Sequence, residues 1–230
     1  MESSSKNWTV ISLGGSTIVP DGVDAVFLKA FIEVIREYAA KGMHFALITG
    51  GGKVCRRYQE ALKEIAQPSA EDLDWLGIYT TRYNAELVRL SLQDISEPEI
   101  FLDPTTVALT GKQVLVGGGW KLGRSSDGSA VALAKTLGAG KLINLSNIDY
   151  VYTADPRKDP TATPIKTTSW VDFRKLLPEE WDPGLNVPFD PVAAKAAEEM
   201  GLEVCVMNGK NLANLRDYLD GKEFLGTVIH

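Results

Sequence analysis

Hydrophobic positions along the chain fall into short runs broken by glycine, alternating with longer segments in which apolar residues recur every three or four positions. Trp8-Thr9-Val10-Ile11-Ser12-Leu13 reads as a strand that ends at Gly14-Gly15-Ser16. Asp24 is placed to cap a helix carrying Val26, Phe27, Phe31, Val34, Ile35 and Tyr38 at near-helical period, with Gly42 just past its end. His44 to Thr49 is a second, almost continuously apolar strand, the pattern of a parallel sheet covered on both faces. A strand-helix-strand unit crosses over right-handed. It therefore sets Gly14–Ser16 and Gly50–Gly52 at the same carboxyl edge, where open α/β sheets bind ligands.

The alternation continues. A helix is predicted from Lys53 to about Ala66, and one or two packed helices from Glu71 to Gln93. Ile100–Leu102 and Val114–Val116 read as short strands. A second glycine-rich loop, Gly117 to Asp127, feeds a helix over Gly128–Leu137. Leu142–Leu145 is a buried strand, and Trp170–Leu177 a short helix. Asp190-Pro191 opens a helix to Met200 that Gly201 closes. Val204–Met207 is a strand, Leu212–Leu219 a helix and Thr227–Ile229 a last strand. This order predicts an α/β fold with one main, largely parallel sheet. A single domain over 1–230 is expected, with a frayed tail at 1–7 and a division near residue 125 into two lobes sharing the sheet.

Composition narrows the possibilities. A chain of 230 residues with 44% hydrophobic and 23% charged residues has ample material for a core. The formal net charge of −6 argues against nucleic acid as partner, so any anion site must be local. No apolar run reaches the roughly 18–20 residues of a membrane span, and the N-terminus has no secretory h-region. Cys55 and Cys205 stand far apart with no metal spacing and read as small packing residues of a reducing cytoplasm. His44 and His230 join no cluster, so no zinc site is expected. Neither glycine run has the Walker A spacing or the third glycine of a dinucleotide fingerprint.

Ile48 to Arg57 carries the chemistry. A buried strand enters three glycines, and a basic helix starts at once, presenting backbone N–H groups and a helix N-terminus to an anion, most naturally a phosphate. Lys53, Arg56 and Arg57 occupy the first turns, where cations oppose the helix dipole unless an anion joins them. Arg56, one turn from Lys53, is the stronger candidate, and Arg57 reads as solvated. Asp149 and Asp155 are further acids; Asp155 precedes Pro156 and also suits a turn.

Five blocks together resemble the amino acid kinase superfamily, and within it the UMP kinases of archaeal type. They are Gly14-Gly15-Ser16; Gly50-Gly51-Gly52-Lys53-x-x-Arg56; Leu76-Gly77-Ile78-x-x-x-Arg82-x-Asn84-Ala85; the run Asn147 to Asp159 with Val151-Tyr152-Thr153-Ala154-Asp155-Pro156; and Asp190-Pro191-x-Ala193-Ala194-Lys195. The similarity runs from about Val10 to Ile229. It implies a three-layer α/β/α sandwich, usually assembled as a hexamer of dimers, that transfers a phosphoryl group from ATP, carried with Mg²⁺, to UMP. It implies an acceptor-binding lobe over about 8–125 and an ATP-binding lobe over about 126–230. Gly15, Ser16, Gly52 and Arg56 would face the ATP phosphates, and Ser146, Tyr152 and Asp155 would hold the adenine nucleotide. Gly51 and Asp74 would contact UMP, wrapped by Trp120, Lys121, Leu122, Gly123, Arg124, Ser125 and Ser126. Arg56, Lys121 and Arg124 would supply catalytic charge.

Two positions depart from the family. Ser12 stands where many superfamily kinases carry a lysine, so Lys53, Lys121 or Arg124 is expected to supply the missing charge. The acceptor loop reads Trp120-Lys121-Leu122-Gly123-Arg124-Ser125-Ser126-Asp127 in place of a His-Pro-Gly-His-Thr-Thr-Asp style run. Two other functions fit the same residues: a kinase of this fold acting on a carboxylate or phosphonate, and a nucleotide-binding sensor without turnover.

Overall fold

The computed structural model describes residues 8–178 and 187–230. The expected tail at 1–7 lies outside the described residues. In chain order the elements are β1 (Trp8–Leu13), α1 (Gly15–Ile18), α2 (Ala25–Ala40), β2 (His44–Thr49), α3 (Gly52–Ile65), α4 (Ala70–Ser91), β3 (Val114–Gly117), α5 (Ser126–Leu137), β4 (Lys141–Ser146), β5 (Val151–Tyr152), β6 (Pro164–Ile165), β7 (Thr167–Thr168), α6 (Trp170–Arg174), α7 (Pro191–Met200), β8 (Glu203–Asn208), α8 (Leu212–Leu219) and β9 (Thr227–Ile229). Seven strands form one sheet in the order β3-β2-β1-β4-β8-β9-β7, while β5 and β6 pair apart from it. The sheet is parallel except between β8 and β9. This is the α/β architecture expected, with helices on both faces.

Strand alternation divides the core in two. Trp8, Val10, Ala46, Ile48, Leu142, Val204 and Val206 pack with Ala130, Leu133, Phe173 and Ala194 from α5, α6 and α7. Ile11, Leu13, Phe45, Leu47, Ile143, Leu145 and Met207 pack with Phe31, Ile35, Val88 and Leu215 from α2, α4 and α8. Burying apolar surface at about 25 cal/mol per Å² is what holds these layers. Both faces being covered explains why the central strands are apolar throughout.

Local signals end the helices where the pattern suggests. Asp24 accepts from the Phe27 N–H at the start of α2, and Asp190 from the Ala193 N–H at the start of α7, with Pro191 at the first helical position. Ser69 and Asp72 form a reciprocal capping box on α4. That box starts one continuous helix where one or two were expected.

The structure corrects one strand and adds others. Ile100–Leu102 is not a strand; only Phe101 bridges to Gly117. Pro98 and Pro104 bracket the segment, and proline removes ladder donors. The short α1 and the strands β5, β6 and β7 were not foreseen, being too short to carry a period.

Candidate active site

Because β1, β2, β3, β4 and β8 run parallel, the loops after Leu13, Thr49, Gly117, Ser146 and Asn208 all leave one edge of the sheet. The two expected glycine loops interlock there. A Cβ placed on Gly15 would lie 2.0 Å from the Gly52 backbone nitrogen, and one on Gly52 would lie 2.4 Å from the Gly15 carbonyl oxygen. Gly52 also has φ +69, a left-handed conformation in which side chains are strained. Only glycine fits either position. No side chain caps α3 at Gly51; the Lys53 N–H donates to the Val19 carbonyl at 3.1 Å, and the remaining N–H groups of the first turn are the ones an anion could meet.

The basic residues separate. Lys53 and Arg57 both pair with Asp21, at 3.1 and 2.5 Å. Lys53 chiefly, then Arg57, holds the Asp21 carboxyl below its usual value. Asp21, from the loop between α1 and α2, thus answers the charge at the helix start, and Arg57 is exposed as expected while pairing with it at the surface. Arg56 is exposed and makes no ion pair among the described residues. Lys121 sits with its Nζ 4.1 Å from the Trp120 ring centroid, a cation–π contact. Arg124 is exposed.

Helix α4 carries both loops. Thr49 donates from Oγ1 to the Thr81 carbonyl at 2.8 Å, and Asn84 donates from Nδ2 to the carbonyls of Gly50 at 2.8 Å and Gly51 at 3.3 Å. On the acceptor side, Asp74 accepts from the Gly123 N–H at 2.6 Å and Thr81 Oγ1 from the Gly119 N–H at 2.6 Å. Arg82 donates from Nε to the Gly119 carbonyl at 3.1 Å and from Nη2 to the Trp120 carbonyl at 2.9 Å. Gly51, Asp74 and the Trp120–Ser126 loop are therefore gathered on one helix. Ser125 accepts from the Gly128 N–H as the cap of α5, leaving its hydroxyl proton free to donate.

Ser12 is answered by Asp127. Strand alternation turns Ser12 to the α5 face, where it donates to Asp127 Oδ1 at 3.0 Å, while the Asp190 N–H donates to Oδ2 at 3.2 Å. Ser12 pairs in register with Asn144, whose amide donates to the Pro188 carbonyl. Burial pushes the Asp127 carboxyl up to about 6, and the Asp190 charge adds to the rise. The sequence offered Asp127 only as the acid after the loop; its partner across 115 residues of chain needed the sheet register.

The residues expected to hold the adenine nucleotide lie at the end of β4 and beyond it. Ser146 ends β4 and its carbonyl accepts from the Gly209 N–H. Gly14 donates to the Leu145 carbonyl, so Gly15 and Ser16 lie beside the end of β4. Tyr152 is on β5, and Asp155 follows it, held below its usual pKa by Arg157, with which it pairs at 2.9 Å. Among the described residues neither Tyr152 nor Asp155 hydrogen-bonds the glycine loops. Asp149 accepts from Asn208 at 2.9 Å. Lys210, not singled out in the sequence, ties the end of β8 to α1 and the start of α2 by donating to the Thr17 carbonyl and Asp24. Cys55 and Cys205 are both free thiols, Cys205 buried.

Among the described residues no three His, Cys, Asp or Glu gather to hold a metal ion. A magnesium ion arriving on ATP needs only one or two protein carboxylates beside phosphate and water oxygens. Asp127, with an acceptor lone pair left on each oxygen, fits that requirement.

Comparison with known proteins agrees over the whole length. Residues 7–208 match the amino acid kinase family. The chain is 35% identical over 226 residues to a uridylate kinase of Methanocorpusculum labreanum, covering 96% of this chain and 94% of that one. It is 32% identical to a uridylate kinase of Hyperthermus butylicus, covering 97% and 98%. The crystal structure of uridylate kinase from Archaeoglobus fulgidus superposes with a TM-score of 0.84 at 28% identity, covering 96% of this chain and 99% of that one. UMP kinase from Bacillus anthracis shares the fold, with a TM-score of 0.76 at 17% identity. With interlocked glycine loops at the sheet edge and a full-length match of this kind, the chain belongs to the amino acid kinase family and, within it, to the uridylate kinases.

Proposed function

We propose that the protein transfers the γ-phosphoryl group of ATP to UMP, giving UDP and ADP, a step of pyrimidine nucleotide synthesis. The observation that carries this reading is the interlock of Gly15 with Gly52 at the carboxyl edge of a sheet whose whole length matches uridylate kinases. Phosphoryl transfer asks little covalent chemistry of a protein. It asks that two phosphates be held in line and that the charge on the moving group be neutralised.

Gly15, Ser16 and Gly52 hold the ATP phosphates through backbone N–H groups. Arg56, exposed and without an ion pair, meets the transferring phosphoryl. Ser146, Tyr152 and Asp155 hold the adenine nucleotide. Gly51 and Asp74, with the Trp120–Ser126 loop, take UMP, and Lys121 and Arg124 add charge on the acceptor side. Mg²⁺ bound with ATP supplies further neutralisation, and Asp127 is the carboxylate that would reach it. The lysine that many relatives carry is replaced here by a serine bonded to that carboxylate. The protein cation nearest the chemistry must then come from α3 or the acceptor loop. Lys53, engaged by Asp21, is the weaker source.

In this reading residues 1–230 form one domain, with acceptor and ATP lobes meeting near residue 125. Support comes from the sheet, in which β1 of one lobe pairs with β4 of the other. A homo-oligomer, the hexamer of dimers expected from the family, finds support in the outer face of α4. Trp75, Tyr79, Tyr83 and Leu87 recur there every four residues and stand exposed, Tyr83 by 79%. Among the described residues no helix is long and apolar enough to cross a membrane. A cytoplasmic site of action agrees with the free thiols.

The test is direct. Purified protein with MgATP and UMP is assayed for UDP beside a panel of carboxylate and phosphonate acceptors. Formation of UDP in preference to other products is expected. Turnover of another acceptor without UDP, or tight ATP binding with no turnover of any, overturns the assignment.

A further inference from the structure

We propose that Arg82 is a positioning residue for the acceptor: it turns two backbone N–H groups of the Gly119–Lys121 stretch outward as an anion cradle. The inference rests on the reading of this loop as the acceptor side.

Along an extended chain, successive carbonyls point to opposite sides. Here the carbonyls of Gly119 and Trp120 both turn to one guanidinium, at 3.1 Å from Nε and 2.9 Å from Nη2. Each trans peptide is planar, so its N–H lies opposite its C=O. The N–H groups of Trp120 and Lys121 therefore both face away from Arg82. Two successive N–H groups on one side of a turn can meet one anion. Among the described residues neither N–H has a backbone partner. The Lys121 ammonium lies over the Trp120 ring, with the Asp103 carboxylate close to both side chains.

The arrangement is held, not incidental. Asp74, Ile78, Thr81 and Arg82 lie on one stripe of α4, spaced by four, three and one residues. Asp74 fixes the far end of the loop at Gly123, and Thr81 the near end at Gly119. Cβ atoms on Gly118 or Gly119 would press on Thr81 and Ile78, at 2.8 to 3.3 Å. Among the described residues Arg82 is the one of the four that donates to carbonyls of the loop. The task suits arginine in particular, because its planar fork offers two donors at fixed spacing, which an ammonium on a flexible stem does not. It also gives Asp74 a role beyond substrate contact: its carboxylate is spent on the loop.

The experiment uses the full chain and the variants Arg82→Gln and Arg82→Lys. Initial rates give KM for UMP and for ATP, and hydrogen exchange follows the amides of 117–124 and of 50–57. Both variants are expected to raise KM for UMP by roughly tenfold or more, as displacement of a positioned group does, with KM for ATP changed by less than about twofold. Exchange over 117–124 is expected to quicken while 50–57 keeps its protection. Lysine is expected not to rescue. Full rescue by lysine would show that charge alone matters and would overturn the fork. Unchanged exchange over 117–124, or an equal rise in both KM values, would also overturn it. If the wild-type chain fails to turn over UMP, the activity assignment falls, and the exchange pattern alone decides the role of Arg82.

Discussion

Ser12 and Asp127 show how much a single position can alter the chemistry of its neighbours. A half-buried carboxylate bonded to Ser12 keeps its proton to about pH 6, where an ordinary aspartate loses it near 3.8. The sign of the consequence follows. Between those two values the folded chain binds a proton that the unfolded chain has released, so stability falls as pH rises through this window. Above about pH 6 the ionised carboxylate costs up to ~3 kcal/mol. Asp127→Asn removes that cost while an amide can still meet both Ser12 and the Asp190 N–H. Urea unfolding is expected to show the variant gaining stability at pH 8 and little at pH 4. An equal change at both values would mean that burial of the charge is not the cause. Arg56→Ala is expected to lose about 2–5 kcal/mol of transition-state stabilisation, read as a fall in kcat/KM, if it meets a desolvated phosphate. An unchanged rate would remove it from the site. Arg56 was identifiable from the chain because a cation unpaired at a helix start is costly. Lys53 looked the same in sequence, and only Asp21, more than thirty residues earlier, distinguishes it.

At the scale of elements, α4 is the part whose importance local pattern conceals. The sequence reads as one or two helices from Glu71 to Gln93, where the structure has one of 22 residues, and the motif positions Arg82 and Asn84 stood out. What they hold is another matter. Asn84 keeps the Gly50 and Gly51 carbonyls in place from a buried position, the residue being 4% exposed. Asn84→Ala leaves those buried acceptors without a donor, at a cost of about 1–3 kcal/mol. The loop it frees is the one between donor and acceptor. A fall of roughly 10–100-fold in kcat/KM is expected for ATP and UMP alike, in contrast to the split expected for Arg82. Steady-state rates with each substrate varied in turn, beside a thermal melt, measure both effects. A stability loss with unchanged rates would make Asn84 a purely structural residue. The same helix turns Trp75, Tyr79 and Tyr83 outward, with the Trp75 and Tyr79 rings stacked at 5.7 Å. One helix thus faces the site on one side and solvent on the other.

For the whole molecule, that exposed stripe makes assembly testable. Tyr83 has no packing role within the chain at its level of exposure. Tyr83→Glu should leave the folded subunit intact and, if the stripe is a subunit contact, shift sedimentation toward a smaller species. A desolvated charge in an apolar interface costs several kcal/mol, enough to dissociate a micromolar contact. Unchanged sedimentation of the variant would place the contact elsewhere. The parts of the chain before and after residue 125, by contrast, share one sheet through the β1–β4 pairing and both core layers.

The amino-acid sequence by itself determined the α/β class, the order of the long helices and central strands, and the glycine loops at the sheet edge. Those features are local: helical period, apolar runs, caps and glycine breaks act within a few residues. It left the two-residue strands β5, β6 and β7 unread and made a strand of Ile100–Leu102, because short runs carry no period. Only the tertiary structure decided the partners. Ser12 with Asp127, Lys53 with Asp21, Lys210 with Thr17 and Arg82 with the Gly119 and Trp120 carbonyls are all separated by 32 residues or more. Such pairs depend on strand register, on which face of a helix meets a loop, and on how parallel strands bring distant loops to one edge. No short window of the chain contains that information.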